Sequence, residues 1–340
     1  MKNIVTLSDW LNYWLDSYIR PSCKPAGYAQ YRDICDKHIA PQIGRVPLEK
    51  VSTGILQQFL NREAASGNLK TGGPLSPKSV KNMRVVLDVA LKAAVQEGRL
   101  SANPVPGTVI RKVCRKPIDP MSDEMQKTLE KFLFRDSNLQ NVGILLALYT
   151  GCRLGEICAL RWRDVNWQRK ELHIRQTVKR LPRSHPKPGE TSTELVFSST
   201  KGRDGSRRIA VPSVVFAILQ MQSRRHKALF GPLDPKGFVV YNGQDQMTDP
   251  DNLSHYFSEV EERLHLPHAR FHDLRHTFAC RAVECGMDIL TICGMLGHAN
   301  VATTQAFYLH PRLDAMHREV DCITPLSGWY DVGDAESTAI

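Results

Sequence analysis

The sequence lacks the short motifs by which many enzymes hold a nucleotide or a metal. It contains no Gly-Lys pair, which excludes a P-loop, and it has no G-x-S-x-G, H-E-x-x-H or G-x-G-x-x-G pattern. Its nine cysteines are an odd number, and none of them has C-x-x-C or zinc-ligand spacing. We therefore expect neither a metal nor a cofactor, and we expect reduced thiols packed in a cytoplasmic protein.

Long apolar stretches are also missing. The longest lies near residues 142–149 and is far too short to cross a bilayer. The first residues lead straight into an amphipathic pattern rather than a signal peptide. These features predict no membrane partner and a place in the bacterial cytoplasm or nucleoid. With 340 residues, of which 42% are hydrophobic and 24% charged, the chain is long enough for two folded domains.

The charge is positive and unevenly distributed. Lys and Arg number 45 against 35 Asp and Glu, a net charge of +10. Residues 1–112 hold 16 basic and 8 acidic side chains, whereas no basic residue follows Arg318. The excess is compatible with simple solubility, but its distribution favours a polyanionic partner that faces the N-terminal part. The acidic C-terminus should not face that partner.

The first hundred residues predict four helices. Apolar residues recur at three- and four-residue steps over 6–18 and 26–38, then after a cap at 52 or 53, and finally from Ser76-Pro77 to Gly98. The aromatic residues of the first helix fit a core better than a base-stacking surface. This pattern predicts a small all-α bundle.

Basic residues cluster at two places in this region. Some lie on the first turns of the fourth helix, where lysines and backbone N–H groups suit DNA phosphates, although a solvated face has the same composition. Others lie in the proline-punctuated stretch 101–120, which is typical of an interdomain linker. The predicted DNA-binding cations are Lys78, Lys81, Arg84, Arg111, Lys112, Arg115 and Lys116.

The second half predicts a mixed domain. Two helices are expected at 123–134 and 139–150, a short helix opens at Arg153, and helices resume from Ser213 to about Glu319. Between them lie three β-type segments, at 171–178, 194–199 and 207–211. The last two flank GRDGS and are expected to form a hairpin. The first two are separated by a basic, proline-rich excursion, KRLPRSHPKPGETS, which we expect to be a mobile loop.

Several side chains in this half can act on phosphate, but each is weak evidence alone. An H-x-x-R pattern occurs at His272 and Arg275, and it arises often by chance. Arg153 has Glu156 three residues on, so a simple ion pair explains it equally well. The other candidates are also ordinary by themselves: Lys201 near a turn, His298 after Leu-Gly, and Tyr308 in an aromatic pair.

The order of these motifs is more specific than any one of them. The sequence runs TGCRLGEICALRWRDV, then TK before RRIAVP, then HDLRHTFA, LGHANVATT and FYLH. This order closely resembles the tyrosine recombinase (phage integrase) family over about 121–320, and more loosely over 5–105. The resemblance implies six catalytic residues: Arg153, Lys201, His272, Arg275, His298 and Tyr308. Tyr308 is taken as the nucleophile, because the alternative register places Phe307 there, which cannot attack.

The resemblance also implies how the chain is organised. We expect an all-α DNA-binding domain (1–112), a basic linker (113–120) and a mostly helical catalytic domain with a small antiparallel sheet (121–320). The acidic segment 321–340 is either a protomer-docking tail or a frayed terminus. The two domains would grip opposite faces of a duplex.

The expected reaction is cleavage and rejoining of double-stranded DNA through a 3′-phosphotyrosyl intermediate, without ATP or metal. A homotetramer on two DNA sites would integrate or excise a phage or other mobile element, with directionality factors or host DNA-bending proteins as further partners. The alternatives are Xer-type dimer resolution and, in a different class, a DNA-binding regulator that does not cleave.

Overall fold

The computed structural model describes residues 6–112, 120–135, 138–183, 189, 191–200 and 206–297. The chain divides into two compact units. The N-terminal unit comprises Met1–Lys116 together with Val178–Ser198, and the C-terminal unit comprises Pro117–Thr177 together with Ser199–Ile340. None of the helices in these described ranges is long and apolar enough to cross a membrane.

Residues 6–112 of the N-terminal unit are built from helices, as the sequence predicts. The described part of its second segment, Val178–Ser198, lies mainly in strands. The α-helical segments of the unit are α1 (Leu7–Trp14), α2 (Arg20–Ser22), α3 (Pro25–Ile34), α4 (Ala40–Ile43), α5 (Thr53–Ser66) and α6 (Pro77–Gln96). A π-helical turn at Leu15–Ile19 joins α1 to α2, and another at Cys35–Ile39 joins α3 to α4, so each pair forms one continuous helix. Together with α5 and α6 these are the four predicted helices, and the predicted helical bundle is confirmed.

Hydroxyl side chains cap three of these helices. The Thr6 hydroxyl accepts from the backbone N–H of Asp9 at 3.2 Å and begins α1. Ser52 caps α5, and Ser76 caps α6 by accepting from the backbone N–H of Ser79 at 3.1 Å. Each cap satisfies an N–H group that the first turn of a helix leaves without a partner. The start signals read from the sequence are confirmed.

The core of this unit is apolar and aromatic. Trp10 and Trp14 on α1 are buried, and Trp10 Nε1 donates to the Ala90 carbonyl on α6 at 2.9 Å. The interpretation of these rings as core is therefore confirmed. Tyr18 lies outside the core, because it is 40% exposed and its hydroxyl donates to Glu97 at 2.5 Å.

In the described part of the C-terminal unit, five helices pack around one buried helix, α8 (Leu139–Thr150). Helix α8 carries an almost unbroken apolar run, and the side chains of 142–148 are buried on every face. It packs against α7, α9, α10, α11 and α12. The helices are α7 (Asp123–Arg135), α8 (Leu139–Thr150), α9 (Leu154–Cys158), α10 (Ser213–Phe230), α11 (Pro250–Arg263), α12 (Phe271–Glu284) and α13 (Ile289–Leu296).

The strands form two small sheets rather than the one hairpin expected. Strands β1 (Val165–Asn166), β2 (Glu171–Ile174) and β5 (Arg207–Ala210) form an antiparallel sheet in the order β1-β2-β5. Strands β3 (Gln176–Pro182) and β4 (Thr193–Ser199) pair with each other. The antiparallel sheet of the predicted fold class is confirmed.

The predicted hairpin between 194–199 and 207–211 is wrong. Strand β4 pairs with β3 across the basic excursion, and β5 pairs instead with β2. Burial decides the pairing, because the β2–β5 register sets Leu172 opposite Ile209, and both side chains are in the core. The predicted strand 171–178 is likewise broken at Arg175, whose Nε donates to Asp164 Oδ1 at 2.8 Å.

Candidate active site

The turn between α8 and α9 is glycine-dependent and tightly packed. Gly151 has φ 64° and ψ 16°, and its N–H donates to the Ala147 carbonyl at 3.0 Å. A Cβ at Gly151 would lie 2.6 Å from Phe278 Cδ1 on α12 and 2.7 Å from Leu296 Cδ2 on α13. Two residues later, Arg153 begins α9 from an extended conformation. Close packing therefore fixes the backbone that presents Arg153.

Glu156 holds Arg153 by both its backbone and its side chain. Glu156 Oε2 accepts from the Arg153 backbone N–H at 2.9 Å, and Oε1 accepts from Arg153 Nη1 at 2.9 Å. The carboxylate is buried, whereas the Arg153 side chain is 36% exposed. The ion pair that the sequence offered as an alternative explanation is thus confirmed. It anchors a guanidinium group that still reaches the surface.

Arg275 lies in the interior and connects the ends of two helices. Its side chain is 2% exposed on α12. Its Nη1 donates to the Gly151 carbonyl and its Nη2 to the Leu296 carbonyl, each at 2.7 Å. These carbonyls stand at the C-terminal ends of α8 and α13, where backbone oxygens lack helical partners and the helix dipole is negative. The cation therefore links the turn before Arg153 to the end of α13.

The surroundings of Arg275 nonetheless disfavour its charged form. Burial, followed by the nearby charge of Arg153, lowers the pKa of Arg275 from 12.5 to about 10. The group stays protonated at neutral pH, but its charged form is less favoured than in water. An anion bound at this cluster would stabilise the charged form and raise this pKa again.

His272 stands one turn before Arg275 on the same helix and is held in the neutral form. Partial withdrawal of its ring from water lowers the pKa of His272 from 6.5 to about 4, helped by the charges of His276, Arg275 and Arg153. The rings of His272 and His276 meet edge to face, with centroids 4.9 Å apart. The His272 side chain as a whole is exposed, so its surface edge remains open to a ligand. At pH 7 His272 is a neutral imidazole that can accept a proton.

A third arginine completes the network. Arg207 at the start of β5 donates through Nη1 and Nη2 to the two oxygens of Glu156, at 3.0 and 2.7 Å. Its Nε donates to the Met295 carbonyl at 2.7 Å. Burial alone would raise the pKa of Glu156, but the hydrogen bonds and charges of Arg207 and Arg153 outweigh it and lower this pKa to about 2. The carboxylate is therefore ionised throughout the physiological range.

The cluster carries more positive than negative charge. Arg153, Arg207 and Arg275 supply three cations, and Glu156 supplies one anion. Guanidinium groups hold phosphate oxygens in two-point contacts and remain charged when buried. A surface-reaching arginine, a strained buried arginine and a neutral imidazole therefore form a site suited to an oxyanion. Among the residues that the structure describes, no group of three or more His, Cys, Asp or Glu is placed to hold a metal ion.

Comparison with known proteins agrees with this geometry. The chain matches the phage integrase family over residues 118–314. It also matches the N-terminal SAM-like domain of phage integrases over residues 6–63. The chain belongs to the phage integrase family. It is therefore a tyrosine recombinase, an enzyme that cleaves and rejoins DNA.

The relatives of this chain include proteins named as Xer-type recombinases and proteins named as integrases. A tyrosine recombinase XerC-like protein of Caldanaerobacter subterraneus subsp. tengcongensis is 27% identical over 90% of this chain and 79% of its own length. The ICEBs1 integrase of Bacillus subtilis is 24% identical over 84% of this chain and 74% of its own. The solved integrase of the Tn1549 transposon, in complex with transposon right end DNA, shares the fold. It has a TM-score of 0.73 and 18% identity, over 93% of this chain and 99% of that one.

The structure brings together three of the six residues expected to be catalytic in this recombinase. Arg153, His272 and Arg275 lie close enough that the two guanidinium charges depress the pKa of the imidazole. The other three, Lys201, His298 and Tyr308, lie outside the described residues. Among the predicted DNA-binding cations, Arg115 and Lys116 also lie outside them.

The remaining DNA-binding candidates are all in the N-terminal unit. Lys78 and Lys81 are exposed on the first turns of α6, and Arg111 and Lys112 are exposed beyond it. Arg84 differs from them, because its Nε donates to the Thr108 hydroxyl at 2.9 Å and its Nη2 to the Val105 carbonyl at 3.3 Å. Arg84 thus contributes to the fold of its own unit.

Arg207 is the residue of this cluster that was not predicted from the sequence. It stands in the quoted motif RRIAVP, beside a second arginine. The alternation of side chains along a strand could have indicated its role. Arg207 lies two residues before the buried Ile209 and so on the same face of β5, whereas Arg208 lies on the exposed face. A charged residue on the buried side of a strand requires a buried partner. Glu156 is that partner.

Proposed function

We propose that this chain is a site-specific recombinase that integrates and excises a mobile element by breaking DNA with Tyr308. The observation that carries the proposal is the cluster of Arg153, Arg275 and neutral His272 in one part of the C-terminal unit. Two guanidinium groups suit the non-bridging oxygens of a phosphodiester, and the depressed pKa of Arg275 favours an anionic occupant.

The proposed cleavage is a transesterification. The Tyr308 hydroxyl attacks the scissile phosphorus, a new P–O(Tyr) bond forms, and the bond to the 5′-oxygen breaks. Arg153 and Arg275 stabilise the charge on the five-coordinate phosphorus. The phenolic proton passes to a neutral imidazole. His272 is neutral at pH 7 because its pKa is lowered, and the negative phosphate would raise this pKa and so allow the ring to accept the proton. Lys201 protonates the departing 5′-oxygen.

The covalent intermediate makes rejoining possible. The 3′-phosphotyrosine keeps the energy of the broken phosphodiester, so the 5′-hydroxyl of another strand can reverse the reaction. The fixed cations stabilise the transition state, so the scheme consumes no ATP and uses no metal ion. His298 is assigned a supporting contact to the same phosphate. Exchange between two sites requires four nucleophiles, and we therefore propose a homotetramer on two DNA sites.

The N-terminal unit is proposed to hold the duplex through its basic helix start. Lys78 and Lys81 lie exposed at the capped N-terminus of α6, where N–H groups and lysines both favour phosphate. Replacing both by alanine should weaken DNA binding and reduce the salt dependence by about two charges. Lys92, exposed farther along the same helix, supplies the matched control. Equal losses from Lys92→Ala would contradict this assignment.

Element integration is favoured over dimer resolution by the domain that the chain matches and by its relatives. The SAM-like match is to phage integrases, and both the ICEBs1 protein and the Tn1549 protein are named integrases. The XerC-like relative keeps Xer-type resolution as the second candidate. The two differ in product, since integration joins separate molecules and resolution separates copies within one circle. Directionality or DNA-bending proteins would act as accessory partners in the first case.

The decisive experiment traps the covalent intermediate. Purified protein is incubated with nicked suicide duplexes drawn from the DNA that flanks its gene, in chelator, and the mixture is resolved under denaturing conditions. A protein–DNA adduct is expected from the natural chain and none from Tyr308→Phe. No adduct from the natural chain would support a non-cleaving regulator. An adduct that persists in Tyr308→Phe would move the nucleophile elsewhere.

A further inference from the structure

Arg207 joins three separate parts of the C-terminal unit with a single guanidinium group. It belongs to β5 and is 11% exposed. It grips both oxygens of Glu156, on α9, at 3.0 and 2.7 Å. It also donates to the Met295 carbonyl, in the last turn of α13, at 2.7 Å. All three of its nitrogens are therefore engaged by protein oxygens.

The backbone beyond Met295 packs directly on this side chain. Gly297 ends α13 with φ 65°, and a Cβ there would lie 3.1 Å from both Cδ and Nη1 of Arg207. No larger residue fits between the chain and the guanidinium without displacing one of them. Arg207 thus sets the position of the last described residue before His298.

Each of the three parts leads to a residue with a proposed catalytic role. Glu156 holds the backbone and the side chain of Arg153. The end of α13 is also bonded by Arg275, through the Leu296 carbonyl, and runs on to His298. Strand β5 follows the segment that contains Lys201. Arg207 thus contacts the structural elements that carry several proposed catalytic residues, although these residues are far apart in the sequence.

The charge pattern separates Arg207 from the phosphate-binding arginines. Its partner Glu156 is buried and ionised, and the pair neutralises itself. Arg153 shares the same carboxylate through one nitrogen only, and 36% of its side chain remains exposed. Because Arg207 bonds both oxygens of Glu156, it weakens the attraction between Glu156 and Arg153. The Arg153 guanidinium is then better able to bind an anion.

We infer that Arg207 is a positioning residue for DNA cleavage, which sets the geometry of Arg153 and of the end of α13 without touching the substrate. The inference rests on the proposed function. A guanidinium is required, because a lysine ammonium cannot bond both Glu156 oxygens and the Met295 carbonyl in one plane. Misplacement of a catalytic group by about 1 Å is enough to lower a rate by about 100-fold.

The test measures the single-turnover rate of adduct formation at saturating suicide DNA, together with DNA affinity. Arg207→Met should lower the rate by about 100-fold and change the affinity by less than about three-fold. Arg207→Lys should cleave at about a tenth of the natural rate, because lysine keeps the positive charge but cannot bond both carboxylate oxygens as a guanidinium does. Arg208→Met is the matched control. It removes the same charge from the exposed face of the same strand and should leave the rate unchanged.

A purely structural role would give a different result. Unfolding lowers the fraction of active molecules, which appears as a smaller adduct amplitude, and leaves the rate constant of the remaining molecules unchanged. A natural rate constant in Arg207→Met, whatever its amplitude, would overturn the inference. Equal slowing by Arg207→Met and Arg208→Met would overturn it as well. A natural chain that forms no adduct overturns the proposed function itself, and this inference with it.

Discussion

Among the described residues, the two units bury different kinds of side chain. The N-terminal unit packs aromatic and aliphatic residues and buries two polar ones, Glu63 and Thr108. The C-terminal unit buries twelve, including the charged groups of Glu156 and Arg275. One unit is thus a conventional apolar bundle, whereas the other encloses a charged network within a helical core.

This difference shows where stability and function lie in the chain. Apolar burial contributes directly to the free energy of unfolding. A buried ion network contributes little or reduces it, because desolvation offsets the attraction between its charges. Replacing the whole Glu156–Arg207–Arg275 network by apolar residues would therefore cost little stability, whereas removing one partner leaves another buried charge uncompensated. In the proposed function, the network serves to bind a phosphate of DNA.

The largest effect should come from replacing the buried cation. Arg275→Met should lower the rate of DNA cleavage by about 1000-fold, because a preorganised charge at the transition state is lost. Its free energy of unfolding should change by less than about 2 kcal/mol, since removing a strained buried charge offsets the lost hydrogen bonds. Adduct kinetics and denaturant unfolding measure the two quantities.

The matching change in the N-terminal unit should behave in the opposite way. Phe59 is fully buried there, and Phe59→Ala should lower the free energy of unfolding by about 4 kcal/mol. The folded molecules should still cleave saturating DNA at nearly the natural rate. If Phe59→Ala slows cleavage as much as Arg275→Met does, the division between the units fails.

Removal of the buried carboxylate should be the next largest effect, and it should depend on pH. Glu156→Gln should lower the free energy of unfolding at pH 7 by about 3 kcal/mol, since the pKa of Glu156 lies near 2 instead of 4.5. A lowered carboxyl pKa stabilises the fold above about pH 4.5, and that stabilisation disappears as the pH falls toward 2. The natural and variant curves should therefore converge in acid. Exposed Glu49→Gln in the N-terminal unit is the control, and a constant gap across pH would contradict this account.

Two glycines with positive φ give a smaller and sharper test. Gly98 (φ 70°) has nothing within 4 Å of an added Cβ, whereas Gly151 (φ 64°) faces Phe278 and Leu296 at under 3 Å. Gly98→Ala should lower the free energy of unfolding by about 1 kcal/mol, because only the cost of a positive φ for a residue with a Cβ applies there. Gly151→Ala should lower it by about 3 kcal/mol because side chains must also move. It should slow cleavage as well, and equal effects at both sites would show that the Gly151 turn is not tightly packed.

The smallest effect concerns the protonation of His272. NMR titration should find its pKa near 4 in the free protein, where partial desolvation and neighbouring cations disfavour the charged ring. Binding of DNA to the Tyr308→Phe variant should raise this pKa, because a phosphate favours imidazolium. A free-protein pKa near 6.5 that DNA leaves unchanged would place His272 away from the phosphate.

Much of the helical framework could be predicted from local signals. The Ser76-Pro77 start, the apolar period of α6 and the continuous run of α8 each depend on neighbouring residues only, and each is confirmed. The site residues Arg153, His272 and Arg275 were predicted from the order of short motifs. Their proximity is seen in the structure, and their catalytic roles stay predictions.

Other features depend on contacts that the local sequence does not contain. GRDGS has the composition of a hairpin turn, yet the pairing of β5 with β2 is set by burial of Leu172 and Ile209. The role of Arg207 depends on Glu156, 51 residues earlier, and on the Met295 carbonyl, 88 residues later. Only the folded chain brings these three together.

The most direct measurement of the central claim identifies the residue that becomes linked to DNA and tests its dependence on the arginine cluster. Suicide-substrate adducts of the natural chain and of Arg275→Met are digested, and the nucleotide-bearing peptide is sequenced by mass spectrometry. The account predicts a single linkage, at Tyr308, whose yield nearly vanishes in Arg275→Met. A linkage at another residue, or an undiminished yield in Arg275→Met, would contradict it.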